Sequence, residues 1–161
     1  MPYPKATITT SHGEIEIELW DDVAPKHVAN FVKLAESNFY DGLKVHRIVP
    51  GFVIQTGCPN GDGTGGPGWT LDAEFNQRPH QPGTLSMARR PDPNSAGSQF
   101  FICLTREKCQ ALDTEYTAFG QVTSGLDVVQ TIGKVKADPH SGEPLDEAPT
   151  MITVRTHADA E

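Results

Sequence analysis

An arginine embedded in an apolar run is the first feature of this sequence that could do chemistry. Arg47 lies within Lys44-Val45-His46-Arg47-Ile48-Val49-Pro50-Gly51-Phe52-Val53-Ile54-Gln55. Its guanidinium stays charged and only donates hydrogen bonds, so it suits an electron-rich target. A lone arginine of this kind reads more readily as a surface residue or a structural ion pair. Its company changes that reading. Downstream stand Gly83-Thr84-Leu85-Ser86-Met87-Ala88 and Asn94-Ser95-Ala96-Gly97-Ser98-Gln99-Phe100-Phe101-Ile102. Gln99 is a second polar group in an apolar strand pattern. Two amides, one guanidinium and several aromatics together describe a concave, mostly apolar site with few polar anchors.

Other constellations carry less. Gly61-Asp62-Gly63-Thr64-Gly65-Gly66-Pro67-Gly68 is as glycine-rich as a phosphate loop. It lacks the Gly-Lys-Ser/Thr ending and a helical pattern after it, and reads as a loop flanking the site. Cys103 sits in an apolar strand and reads as an inert buried thiol. Cys109 falls in a loop and is expected to be exposed and oxidisable, with no activating base near it. The six histidines have no ligand spacing, so no metal is expected, and His46 reads as a packing or hydrogen-bonding residue. Asp72 and Glu74 are spaced for one strand face but read as loop or surface residues. Arg89-Arg90 adds positive charge that would favour an acidic residue in a ligand.

The elements that must hold these residues follow from periodicity. Residues 6–20 read as a hairpin turning at Ser11-His12-Gly13, with Ile15, Ile17 and Leu19 inward and Glu14, Glu16 and Glu18 in water. A helix follows, capped by Asp21 or Asp22, with Pro25 in its first turn and Val28, Phe31, Val32 and Ala35 on one face. Residues 43–57 read as two strands broken at Pro50-Gly51. Further strands fall at 84–88, 98–104, 118–123 and 150–156, and a second helix at 126–132 ends at Gly133. Many short strands and two separated helices suggest a closed antiparallel barrel.

With 161 residues, 37% of them hydrophobic and evenly spread, the chain reads as one domain over 1–161. No apolar run approaches the ~20 residues of a membrane helix. Met1-Pro2-Tyr3-Pro4-Lys5 is not followed by a signal core, so a cytoplasmic location is expected and no membrane association. The net charge of -8 and the lack of a basic stripe argue against nucleic acid as a partner. Cys58, Cys103 and Cys109 form no disulfide framework or zinc spacing and point to a reducing compartment.

The sequence resembles the cyclophilin family over nearly its whole length. The resemblance rests on His46-Arg47-Ile48-Val49-Pro50-Gly51-Phe52, Gln55, Gly63-Thr64-Gly65-Gly66, Leu85-Ser86-Met87-Ala88, Gly97-Ser98-Gln99-Phe100-Phe101-Ile102, Leu112-Asp113 and Phe119-Gly120. It implies a mainly β fold, a closed eight-stranded antiparallel barrel capped by two helices, with a groove on its outer surface. It implies peptidyl-prolyl cis–trans isomerase activity without a cofactor, assisting protein folding, with Arg47 as the catalytic residue. Phe52, Val53, Phe101, Leu112 and Tyr116 would line a proline pocket. Gln55, Ala88, Arg89 and Gln99 would contact the substrate backbone and the residue before proline. Strict alternation places Phe52 and Gln55 on opposite faces, which conflicts with a shared groove unless Pro50-Gly51 delays the pleat.

Three positions depart from the family's usual residues: Val53 where Met is common, Tyr116 where His is common, and Ala111 where Trp is common. The missing indole implies reduced affinity for cyclosporin, with little effect on proline peptides. Proline-containing peptides and unfolded proteins are the expected partners, and a monomer the expected state. A proline-peptide binding module in a larger assembly, with incidental catalysis, is the alternative. The presence of Arg47 favours the enzyme, since a binder needs only the pocket.

Overall fold

A computed structural model describes residues 3–145 and 147–157; Met1 and Pro2 of the N-terminal stretch lie outside them. Strands β1 (Lys5–Thr10) and β2 (Gly13–Leu19) form the expected hairpin, with Ile8 opposite Ile15 and Ala6 opposite Ile17. Ile15, Ile17 and Leu19 are buried, while the three glutamates lie on the other face. Those carboxylates are not idle: Glu16 accepts from the Thr7 hydroxyl and Glu18 from the Trp20 indole.

Helix α1 (Pro25–Glu36) buries Val28, Phe31, Leu34 and Ala35. Phe31 packs on Tyr40, Phe100 and Phe119 at centroid distances of 5.3, 5.6 and 5.7 Å. Each buried aromatic of this kind contributes roughly 1.5–3 kcal/mol by burial alone. The expected cap from Asp21 or Asp22 is not used. Ala24 is the N-cap, and its methyl group cannot accept a hydrogen bond. Glu74, far along the chain, accepts from the Lys26 and His27 amides and from His27 Nδ1 at 2.6 Å. A carboxylate at a helix N-terminus satisfies orphan N–H groups and the dipole wherever it comes from. Glu74 lies in a loop, as read, and not on the strand face its spacing would allow; from that loop it anchors α1.

The remaining strands are β3 (Leu43–Lys44), β4 (Arg47–Val49), β5 (Val53–Thr56), β6 (Thr84–Met87), β7 (Phe100–Cys103), β8 (Ala118–Ser124) and β9 (Thr150–His157). All nine join one antiparallel sheet in the order β3-β9-β1-β2-β8-β6-β7-β5-β4. The two edge strands are separated in sequence only by Val45 and His46. Taken as one bent strand, they close the order on itself as a ring of eight, which reconciles nine segments with an eight-stranded barrel.

Helix α3 (Leu126–Ile132) ends at Gly133 as read from the sequence. The expectation of two helices falls one short. A four-residue helix, α2 (Arg106–Cys109), starts at Thr105, whose hydroxyl accepts from the Lys108 amide, and runs into a 3-10 turn over Gln110–Leu112. Four residues are too few to show a helical period. Cys109 is corrected with it: the thiol is fully buried and donates to the Phe52 carbonyl at 3.3 Å. No helix among the described residues is long and apolar enough to cross a membrane.

Candidate active site

The same strands carry two apolar faces. Ile48, Ile54, Ile102 and Leu85 are paired across β4, β5, β7 and β6 and belong to the main core. One residue further along each strand, the row is Arg47, Gln55, Phe101 and Ser86, on the opposite face. Val53 pairs with Cys103 on that same face. Around them lies a second, smaller apolar cluster of Val53, Phe101, Cys103 and Cys109, joined by Val49, Phe52, Ala88, Leu112 and Tyr116. The structure thus brings together every pocket residue expected from the sequence.

The turn at Pro50-Gly51 resolves the conflict over Phe52. The Phe52 amide bonds to the Val49 carbonyl at 2.9 Å and Gly51 takes φ 75°, a conformation that suits glycine. β5 begins at Val53, so Phe52 belongs to the turn and is free of the strand's alternation.

Polar groups line one side of the cluster. Arg47 Nη1 donates to Gln55 Oε1 at 3.4 Å, a weak bond, while Gln55 Nε2 donates to Gln99 Oε1 at 3.0 Å. Gln99 Nε2 donates in turn to the Gly63 and Gly65 carbonyls. The glycine-rich loop is held from its other side by the buried Cys58 sulfur, which accepts from the Gly63 and Gly65 amides at 3.2 Å each. Among the described residues no carboxylate pairs with Arg47. Arg47 is partly exposed, on the sheet face that carries Val53 and Phe101.

Arg89 is more committed. It donates to the Arg90, Pro91 and Glu115 carbonyls and lies 4.4 Å over the Tyr116 ring. It fastens the loop after β6 to the turn that carries Tyr116, which itself meets Phe101 edge-on at 5.8 Å. A cleft of ≈ 310 Å³ continues the site past Gln55 and Gln99, between the glycine-rich loop and Ala88, Arg89 and Arg90.

Residues 5–156 match the family described as cyclophilin type peptidyl-prolyl cis-trans isomerase/CLD. The chain belongs to the cyclophilin family of peptidyl-prolyl cis–trans isomerases. It is 48% identical over 130 residues to a peptidyl-prolyl cis-trans isomerase of Synechococcus elongatus, covering 80% of this cyclophilin and 88% of the relative. It is 50% identical over 122 residues to peptidyl-prolyl cis-trans isomerase B of Bacillus subtilis, covering 74% and 83%. Some relatives are longer, and the chain spans 23% or 30% of them. A crystal structure of a Cryptosporidium parvum cyclophilin type isomerase superposes with a TM-score of 0.90 at 30% identity, covering 98% of this chain and 99% of that one. The same protein, solved in the presence of the dipeptide Ala-Pro, gives 0.88 at 32% identity, covering 96% and 99%.

Sequence reasoning missed His80 and Arg106, and the contacts that Ser86 and Asp113 make with them, in this cyclophilin. His80 is fully buried, stacked on Phe101 and bonded to Ser86 and Asp113. Nothing local to Pro79-His80-Gln81 signals that; the partners come from two other segments. The hydrogen bonds from Arg106, with help from His80, push the Asp113 carboxyl down to about 2.

Burial also holds the imidazoles of His27, His46 and His80 below the ordinary histidine value of 6.5. In the unfolded chain these rings take up protons near pH 6.5, whereas in the fold they do so only at lower pH. The unfolded state then binds more protons, and stability falls as pH drops below about 6.5. Asp113 adds a second loss, beginning below about 3.9 and continuing towards 2. A melting temperature clearly lower at about pH 5 than at about pH 7.5 is expected. Equal values at the two pH settings would contradict the lowering of these imidazoles by burial.

Proposed function

We propose that this cyclophilin turns X–Pro bonds over in the outer groove, with Arg47 as the catalytic residue. Isomerisation breaks no bond. It requires the imide to twist out of plane against a barrier of about 18–20 kcal/mol. Twisting ends the resonance and leaves a lone pair on the prolyl nitrogen. A guanidinium aimed at that nitrogen gains a hydrogen bond in the twisted form that the planar form cannot offer, which is selective binding of the transition state. The observation that carries this reading is Arg47 on the same sheet face as Gln55, Val53 and Phe101, with only a 3.4 Å bond to Gln55 to give up.

The other roles follow from chemistry and position. Val53, Phe101, Leu112, Phe52 and Tyr116 hold the ring. Gln55 and Gln99, already bonded to each other, fix the flanking peptide, and Ala88 and Arg89 border the preceding residue. Orientation and exclusion of water from the amide supply the acceleration beyond the hydrogen bond. No proton moves and no covalent intermediate forms. NMR exchange on an Ala-Pro peptide tests this: cis–trans exchange that speeds up with the wild-type protein and slows again with Arg47→Ala, peptide binding being kept, is the expected result. Binding without exchange by the wild type would favour the binding-module alternative.

Unfolded or exposed X–Pro segments are the substrates this groove suits, since cis is populated substantially in unfolded chains. Three unpaired cysteines support work in a reducing compartment such as the cytoplasm. A monomer is the proposed state. Ala111, exposed next to Leu112, offers no indole donor to cyclosporin. Ala111→Trp is therefore expected to tighten cyclosporin binding about tenfold, the scale of one good hydrogen bond. An unchanged Kd by calorimetry would remove Ala111 as the cause of weak binding.

A further inference from the structure

His80, stacked on Phe101 of the second apolar cluster, joins Ser86 and Asp113 in the order of a hydrolytic triad. His80 Nε2 is 2.8 Å from Ser86 Oγ, and His80 Nδ1 is 3.2 Å from Asp113 Oδ1. The same carboxylate oxygen accepts from the His80 amide at 2.8 Å. Arg106 grips both carboxylate oxygens, at 2.9 and 2.7 Å, and donates to the His80 carbonyl at 3.2 Å. An ionised carboxylate only accepts, so Nδ1 carries the proton and Nε2 accepts from the Ser86 hydroxyl. A nucleophile must be reachable, and both Ser86 and His80 are completely buried. Hydrolysis is closed to this constellation, whatever its resemblance to a catalytic triad.

What the three residues touch suggests another use. The His80 ring lies nearly parallel to Phe101, with centroids 6.2 Å apart and planes at 21°. Asp113 directly follows Leu112. The amides of Glu115 and Tyr116 fold back on the Leu112 carbonyl at 3.0 and 3.2 Å, through Thr114 at φ 64°. Holding Asp113 therefore holds the turn that presents Leu112 and Tyr116. One imidazole references Phe101 on its face and that turn through its Nδ1. We propose that Ser86, His80 and Asp113 form a buried positioning relay, clamped from outside by Arg106, that keeps the Leu112–Tyr116 turn in register with Phe101 around the substrate proline. This rests on the groove being the isomerase site.

The experiment compares kcat and KM for an Ala-Pro peptide by NMR exchange in wild type, Arg47→Ala, Asp113→Asn, His80→Phe and Arg106→Gln. His80→Phe keeps the stack and loses both hydrogen bonds. Asp113→Asn and His80→Phe should each lower kcat about tenfold with KM changed less than twofold, because a small displacement of a pocket wall misorients the bound imide. Arg106→Gln alters a side chain 42% exposed, leaves the fold intact and should lower kcat about threefold. It decides the matter if the buried variants do not fold. A second readout is independent of turnover: wild type should show an exchange-protected His80 Nδ1 proton that disappears in Asp113→Asn. Turnover within twofold of wild type in Asp113→Asn and Arg106→Gln, or no such proton, overturns the relay. A wild type without exchange overturns the groove assignment instead, and the proton signal still decides the relay.

Discussion

Arg47→Ala should reduce kcat/KM on an X–Pro peptide by about tenfold to a hundredfold. A hydrogen bond from a charged donor is worth about 1.5–3 kcal/mol net, and each tenfold in rate takes about 1.4 kcal/mol. The loss should fall almost wholly on kcat. The planar imide offers the guanidinium little, so its removal leaves ground-state binding nearly unchanged. The fold should not suffer, because Arg47 is partly exposed and its side-chain bond to Gln55 is long. Arg47→Lys should recover part of the loss, keeping the charge without the planar fork. A rise in KM with kcat preserved would assign Arg47 to uniform binding and not to the twisted state.

The largest loss of stability should come from a glycine. Gly57 follows β5 at φ 91°, and a Cβ built there would lie 2.4 Å from the Ser98 carbonyl oxygen and 3.0 Å from Gln99 Cα. Backbone cannot yield as a flexible side chain can. The φ alone costs Ala about 1–3 kcal/mol, and the clash adds to it. Gly57→Ala should therefore cost about 3 kcal/mol or more, a fall in Tm of roughly 6–12 °C for a chain of this size. The same change should reach the site. Ser98 Oγ donates to the Gly57 carbonyl at 2.6 Å, and displacing Ser98 carries Gln99 away from Gln55. Gly66→Ala is the control, since a Cβ there meets nothing within 4 Å and should change stability by less than about 0.5 kcal/mol. Similar melting temperatures for the two variants would refute the steric argument.

How far the sequence could be read depended on how local each signal was. The β1–β2 hairpin, α1 and α3 were legible because alternation and helical spacing are written within a few residues. A closed antiparallel barrel was suggested by the many short strands, but its count of eight was legible only through family likeness. Its physical basis, one stretch contributing β3 and β4 to opposite edges, lies in pairings across the whole chain. The cap of α1 was misread because two aspartates stand at the right place in sequence while Glu74 stands there in space. Cys109 was misread because α2 is too short for a period to show. At the site, residue types pointed to Arg47, Gln55, Gln99 and Phe101. The support behind them, from His80 to Asp113 and Arg106, joins loops with no pattern of their own.

A crystal structure with an Ala-Pro peptide bound would probe the groove assignment most directly. The proline ring should sit against Val53, Phe101 and Leu112, with the Arg47 guanidinium turned from Gln55 to within hydrogen-bonding reach of the prolyl nitrogen. A ring bound elsewhere, or a guanidinium pointing away from that nitrogen while the hollow is filled, would contradict it.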